Sequence, residues 1–197
     1  MKKLLFFIFL TLIEMSCSQK SCLSTVDYEW MPYKGNERLE FVSNSGNTDT
    51  IFILKKDTIW SYPDAQSPVG LQCEVVRVFC RHTDSVVQDK SIRYLENDFC
   101  SIRKNKNNHA VLSISLLTKN ATFYQIGLID LDSLNKQSPI IFKTKQKQYN
   151  DVYIINSKDY AGSFHERADF VTKLYWSKSK GLVRYDKKNK IYWELIN

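Results

Sequence analysis

Apolar and polar residues alternate along most of this chain after residue 22, in short segments rich in β-branched and aromatic side chains. Alternation with a period of two is typical of β-strands that bury one face. The predicted strands are 39–43, 49–54, 57–62, 71–80, 91–95, 99–103, 110–117, 121–128, 139–144, 149–155, 170–177, 182–186 and 191–196. Helical turns are predicted only within 130–135 and 158–168. The pattern therefore predicts an all-β, or at least β-rich, chain with few helical turns.

Polar turn residues separate these strands. Residues 44–47 and 55–57 are predicted as turns between the first three strands. The last three strands are joined by residues 178–181 and 187–190, which are short enough for hairpins, and Gly181 can supply a positive φ. A C-terminal meander of three antiparallel strands follows from this spacing. Its predicted cross-strand pairs are drawn from Tyr175, Val183, Tyr185, Tyr192 and Trp193.

The first 16 residues have a different pattern, typical of a secretion signal. Lys2 and Lys3 precede an apolar run from Leu4 to Ile13, which falls well short of the roughly 20 residues that span a bilayer. Cys17 follows the small residue Ser16, as the acylated cysteine does in bacterial lipoprotein signals. The predicted organisation is a signal peptide at 1–16, an anchor and tether at 17–30, and one β-rich domain at 31–197.

The sequence around the predicted cleavage site leaves an alternative open. Glu14 stands three positions before Cys17, where lipoprotein signals usually carry an aliphatic residue. The alternative is an ordinary signal peptide cut near Ser18, which would release a secreted protein. Residues 18–21 lack the acidic cluster that directs some lipoproteins to the cell surface. We therefore predict a lipid anchor in the outer membrane, with the domain facing the periplasm.

The net charge of the chain limits the classes of partner that it is expected to bind. The 28 basic and 21 acidic residues of the full chain become 26 and 20 once Lys2, Lys3 and Glu14 are removed, a formal charge of +6 instead of +7. This balance suits anionic headgroups or an acidic protein. Because the lysines are scattered and the chain is predicted to be exported, no nucleic-acid partner is expected.

Four cysteines remain if Cys17 is acylated: Cys22, Cys73, Cys80 and Cys100. Cys73 and Cys80 lie on one predicted strand, about 23 Å apart at roughly 3.3 Å per residue, so they cannot pair without a turn. The candidate disulfide is Cys80–Cys100, between neighbouring strands. Free, buried thiols are the equally weighted alternative.

No residue pattern points to catalysis, a metal or a cofactor. The three histidines, His82, His109 and His165, are isolated, and Glu166 is the only acidic residue next to one of them. Asp130 and Asp132 resemble part of a calcium loop, but the glycine and the distal glutamate are missing. We interpret these two carboxylates as turn caps, and we predict that the protein is not an enzyme.

Several segments resemble small bacterial lipoproteins of uncharacterised function. They are the Tyr-rich strand and Gly-Leu-Val turn at 173–186, the closing Tyr-Trp-Glu-Leu at 192–195, the strand 149–153, and the opening segments 30–35 and 39–41. The resemblance implies a single, strongly curved antiparallel sheet or half-barrel, akin to the half-barrels of lipoprotein carriers. It carries no catalytic residue.

The leading functional expectation is a membrane-anchored lipoprotein of the cell envelope that acts as a non-enzymatic binding or structural module. One alternative is an immunity-type protein that binds a protein toxin, for which the formal charge of +6 would suit an acidic partner. Another is a carrier whose aromatic strands, 170–176 and 191–193, line a pocket for an apolar ligand. The same aromatic residues suit an ordinary core.

Overall fold

The protein is built almost entirely of β-strands. The computed structural model describes residues 20–63, 71–82, 97–117, 122–124, 129–159, 162 and 164–197. The strands in these ranges are β1 (Lys20–Ser21), β2 (Arg38–Ser43), β3 (Thr48–Ser61), β4 (Gln72–His82), β5 (Asn97–Lys104), β6 (Ala110–Leu117), β7 (Thr122–Tyr124), β8 (Ile129–Asp130), β9 (Ile140–Lys143), β10 (Gln148–Asn156), β11 (Val171–Ser177), β12 (Gly181–Lys187) and β13 (Tyr192–Leu195). The helical elements are α1 (Thr25–Tyr28), α2 (Leu131–Asn135) and a 3₁₀ turn at Phe164–Glu166. No helix in the described ranges is long and apolar enough to cross a membrane.

The strands form one curled antiparallel sheet, a half-barrel, which confirms the predicted fold class. Its order is β7-β6-β5-β4-β3-β2-β13-β12-β11-β10-β9. β8 pairs with β6, and β1 adds a short parallel pairing to β4. The C-terminal β13 lies beside β2, so the predicted C-terminal meander continues directly into the first long hairpin.

The core lies on the concave side of this sheet. Tyr33 contacts Phe99 of β5 and Trp176 of β11, with ring centroids 5.4 and 5.9 Å apart. These two strands are six positions apart in the sheet, so one side chain reaches both only because the sheet curls around it. The buried aromatic residues of the last strands, Trp176, Tyr185 and Trp193, therefore face a filled interior.

The segment before β2 fills that interior. Leu23, Trp30 and Met31 are buried in the main core cluster, and the Trp30 ring lies 4.6 Å from that of Tyr153. The sequence pattern did not predict α1, which begins with a capping box between Ser24 and Asp27. From Lys20 onward, the predicted tether is packed against the sheet.

One predicted turn is wrong. Residues 55–57 do not separate two strands, because β3 runs unbroken from Thr48 to Ser61 along β4. The register shifts between Ile53 and Lys55, so the extra residue is accommodated as a β-bulge. Gly35 lies against this bulge, where a Cβ atom would be 3.3 Å from the Cα of Lys55. The charged residues that resembled a turn therefore pair with β4 directly after a bulge at Leu54.

The C-terminal meander is confirmed. β11, β12 and β13 pair antiparallel in sequence, and Gly181 has a φ of +81°. Tyr185 faces Trp193 directly, with stacked rings 6.0 Å apart. Tyr175 faces the other side of the sheet, opposite Arg184. The predicted strand 91–95 and most of 121–128 lie outside the described residues.

Candidate functional site

The predicted lipid-attachment residue, Cys17, lies outside the described residues, which begin three positions later at Lys20. The structure does place the start of the described chain. Lys20 and Ser21 form β1 and pair with Gln72 and Cys73 at the beginning of β4. The Lys20 ammonium lies 4.8 Å from the ring centre of Trp60. The chain therefore enters the domain at the end of the β3–β4 hairpin.

The cysteines of the candidate disulfide lie on neighbouring strands. In β4 and β5, Cys80 pairs with Asn97, and Cys100 pairs with Val78. Both are free, buried thiols here, and the Cys100 Sγ atom lies 3.4 Å from the Sδ atom of Met31. Burial raises the pKa of Cys80 to about 12 and that of Cys100 well above its usual range. A Cys80–Cys100 bridge stays a prediction.

His165 contacts a carboxylate other than that of its sequence neighbour Glu166. The Nδ1 atom of His165 lies 2.8 Å from the Asp159 Oδ2 atom, rather than beside Glu166. Asp159 also accepts hydrogen bonds from the backbone N–H groups of Gly162 and His165, at 3.0 and 2.7 Å. This carboxylate organises the loop before β11, which is a structural role.

The only group of metal-ligating side chains found among the described residues is His109, Asp130 and Asp132, with one ligand atom of each within 4.8 Å of the others. Asp130 accepts hydrogen bonds from the hydroxyl and backbone N–H of Ser133, which lower its pKa and cap α2. The predicted capping role of Asp130 is thus confirmed. Asp132 instead lies 3.5 Å from the His109 Nδ1 atom. A histidine with two carboxylates suits a divalent transition metal, but capping and ion pairing explain the cluster without one.

Three of the aromatic residues considered for an apolar pocket belong to the core, whereas Tyr175 and Tyr192 lie on the outer face of the sheet. Phe170, Trp176 and Trp193 are buried, and the concave side of the sheet is occupied by the segment around Trp30 and Tyr33. An apolar ligand would have to displace this segment. The burial favours the interpretation of these residues as ordinary core.

A basic groove lies on the outer face of β11 to β13. Its volume is about 190 Å³, and its lining includes Lys173, Arg184, Asp186, Lys187, Lys190 and Tyr192. Its cations are the exposed Lys173 and Lys190 and the partly buried Arg184, its anion is Asp186, and the side chain of Lys187 is buried. The groove therefore presents positive charge next to an aromatic ring.

Arg184 organises this basic groove. Its guanidinium lies 3.8 Å from the centre of the Tyr192 ring, and its nitrogens lie 2.6 Å from Asp186 and 3.1 Å from Glu194. Burial works against the charge, but these two carboxylates outweigh it and raise the pKa of Arg184. Asp186 also accepts a hydrogen bond of 3.1 Å from the Tyr175 hydroxyl. Arg184 is therefore a fixed, stacked cation.

Lys173 and Lys190 of the groove are not neutralised in the way that Arg184 is. Lys173 stands opposite Asp186 in the strand register, but Arg184 already binds that carboxylate. Within the described ranges, neither Lys173 nor Lys190 has a carboxylate within 4.0 Å. The Lys187 ammonium lies 5.5 Å from the ring centre of Trp193. The groove thus has two exposed ammonium groups available to an acidic ligand.

No family model, curated protein or solved structure matches this chain. The geometry of its own residues therefore carries the functional argument. Sequence reasoning missed the basic groove because its residues are scattered through β11, β12 and the following turn. Alternation did predict β11, β12 and β13. Combining the face of each strand with its hairpin register would have placed Lys173, Arg184 and Tyr192 together.

Proposed function

We propose that this chain is a lipid-anchored protein of the cell envelope, held in the outer membrane by Cys17, whose β domain binds an acidic protein in the periplasm without catalysing a reaction. The observation that carries the anchor is the N-terminal sequence. A short basic segment, a ten-residue apolar core and a small residue before Cys17 are the parts of a lipoprotein signal.

The entry point of the chain supports this proposal. Lys20 lies at the end of a hairpin and beside an exposed aromatic residue, so an anchor three residues earlier would emerge from the edge of the domain. An acyl chain at this position could enter a membrane without crossing the core.

The basic groove supports the choice of partner. The exposed ammonium groups of Lys173 and Lys190 complement carboxylates, and charge complementarity of this kind steers association. An acidic toxin bound by an immunity-type lipoprotein is one partner of this chemistry.

The anchor is tested with Cys17→Ala and the matched variant Cys22→Ala, both expressed in cells fed with labelled palmitate. Cys22 is the neighbouring exposed cysteine. Wild type and Cys22→Ala are expected to carry label and to sediment with membranes. Cys17→Ala is expected to lose the label and the membrane association, and globomycin should leave the wild type unprocessed.

Retention of label and membrane association by Cys17→Ala would contradict the proposal. Loss of label in Cys22→Ala alone would move the anchor to that residue. Protease treatment of intact cells tests the location separately, because a periplasmic domain is expected to be degraded only after the outer membrane is opened.

A further inference from the structure

The end of the β3–β4 hairpin is apolar on both faces of the strand. Ile59 and Trp60 of β3 are 37% and 40% exposed. Because neighbouring residues of a strand point to opposite faces, these two side chains flank the strand on either side. The other three tryptophans, Trp30, Trp176 and Trp193, are buried. Trp60 is therefore the one exposed tryptophan of the four in the chain.

The N-terminal segment is fastened to this same end of the hairpin. β1 pairs with β4 at Gln72 and Cys73, and Cys73 pairs across the hairpin with Ser61, next to Trp60. Two residues after β1, the backbone N–H of Leu23 donates a hydrogen bond of 2.9 Å to Glu74, the cross-strand partner of Trp60. The N-terminal segment is therefore held against the hairpin from Lys20 to Leu23.

The distance from this point to the proposed anchor is short. Cys17 precedes Lys20 by three residues, and three residues span at most about 11 Å even when fully extended. The acyl chains on Cys17 would therefore enter the bilayer within about 11 Å of Lys20. Lys20 itself stacks on Trp60, at 4.8 Å from the ring centre. An anchor at Cys17 would therefore hold Lys20 and Trp60 close to the membrane surface.

We propose that the end of β3 at Ile59 and Trp60 is a membrane-contact element, in which these two side chains enter the phospholipid headgroup region of the leaflet that holds the anchor. Tryptophan favours this layer because its ring is apolar and its indole N–H remains hydrogen-bonded there. The Lys20 ammonium complements the lipid phosphates. This inference rests on the proposed function, since the Cys17 anchor sets the distance to the membrane.

The contact sets the orientation of the domain. A lipid anchor at one residue leaves the domain free to rotate about its tether, and a second attachment adds apolar burial and limits that rotation. With Ile59 and Trp60 at the bilayer, the orientation of the basic groove relative to the membrane is fixed. The hairpin therefore acts as an orienting contact between the anchor and the binding face.

The experiment uses the full-length protein, purified from membranes with its N-terminal mass determined and reconstituted into vesicles of phosphatidylethanolamine and phosphatidylglycerol. Tryptophan fluorescence is compared in vesicles with and without lipids brominated near the headgroup end of the acyl chain. Since Trp60 is one of four tryptophans, we expect quenching of about one quarter of the emission. Trp60→Phe should abolish this quenching while leaving the emission of the three buried residues.

The matched control is Ile141→Trp in the Trp60→Phe background. Ile141 is 71% exposed on β9, six strands from β3 in the sheet order. A tryptophan there is expected to be quenched by aqueous iodide but not by brominated lipid. This reporter shows that exposure alone does not cause quenching by the lipid.

An acylated, vesicle-bound protein whose Trp60 is not quenched would overturn the inference and leave the proposed anchor intact. Equal quenching of Trp60 and the Ile141→Trp reporter would also overturn it, since no face would then be preferred. If the N-terminal mass shows no acylation, both the proposed function and this inference are contradicted.

Discussion

Gly181 and Tyr33 fit together at the start of β12. Tyr33 is buried, and its hydroxyl oxygen accepts a hydrogen bond of 2.8 Å from the backbone N–H of Leu182. A Cβ atom on Gly181 would lie 2.1 Å from that oxygen, and the φ of +81° further disfavours any side chain. Burial raises the pKa of Tyr33 well above its usual range, which keeps the hydroxyl protonated.

Gly181→Ala is therefore expected to destabilise the protein by about 3 kcal/mol or more, because a steric clash is added to the cost of a left-handed backbone. Gly46→Ala is the matched control. Gly46 has a φ of +87° but no atom within 4 Å of its Cβ position, so its cost should be about 1 kcal/mol. Urea unfolding of the two variants measures the difference. Equal losses of stability would contradict the close fit with Tyr33.

At the scale of elements, α1 is attached to β4 through one carboxylate. Glu74 accepts hydrogen bonds from the Tyr28 hydroxyl at 2.5 Å and from the Leu23 backbone N–H at 2.9 Å. On the other side of α1, Lys104 lies 3.3 Å from the Asp27 carboxylate, which also closes the capping box. A four-residue helix is too short to be stable alone, so these tertiary contacts determine its position.

This attachment predicts a loss of stability at high pH. Burial and the hydrogen bond to Glu74 raise the pKa of Tyr28 from 10.0 to about 12. Below pH 10 the hydroxyl is protonated in both states. Between pH 10 and about 12 the unfolded chain releases the proton while the folded chain retains it, so folding loses free energy as the pH rises.

Tyr28→Phe is expected to reduce the slope of unfolding free energy against pH in this range, and Thr25→Ala, an exposed change in the same helix, should keep the wild-type slope. Chemical unfolding at a series of pH values from 9 upward gives these slopes. An unchanged slope in Tyr28→Phe would show that the bond to Glu74 does not control the titration.

At the scale of the whole molecule, the two regions proposed for contact lie at different places on the sheet. The end of the β3–β4 hairpin holds the first described residues, and the outer face of β11 to β13 carries the basic groove. The concave side is filled by the segment before β2 and provides stability. Binding on the outer face can therefore be changed without disturbing the core.

Lys173→Glu combined with Lys190→Glu is expected to weaken binding of a polyglutamate probe at least about tenfold, because both changes reverse charge in the basic groove. Lys106→Glu combined with Lys136→Glu makes the same change in net charge at exposed positions outside the groove lining. This pair should retain most of the affinity in titrations at fixed ionic strength. Equal losses in the two double variants would mean that net charge, rather than the groove, governs binding.

Much of the β-structure could be predicted from alternation, because a strand that buries one face must repeat every two residues. β2, β4, β6 and the three strands of the C-terminal meander were all placed within a few residues. The charged residues 55–57, which follow the bulge at Leu54, interrupt the alternation as a turn would, so the sequence pattern predicts a turn there. α1 was missed because four residues are too few to show helical periodicity.

The sequence by itself determined the class of the fold and the C-terminal hairpins with their positive-φ glycine at 181, and it is the basis of the proposal that Cys17 carries a lipid anchor. These features depend on residues that are close together in the chain, so they can be recognised without knowing which distant segments pack together. Only the tertiary structure decided that Trp30 and Tyr33 fill the half-barrel, that Lys20 stacks on Trp60, and that the cations of β11 and β12 meet in one groove. Such contacts depend on strand register and sheet curvature, which arise from packing between residues far apart in the chain.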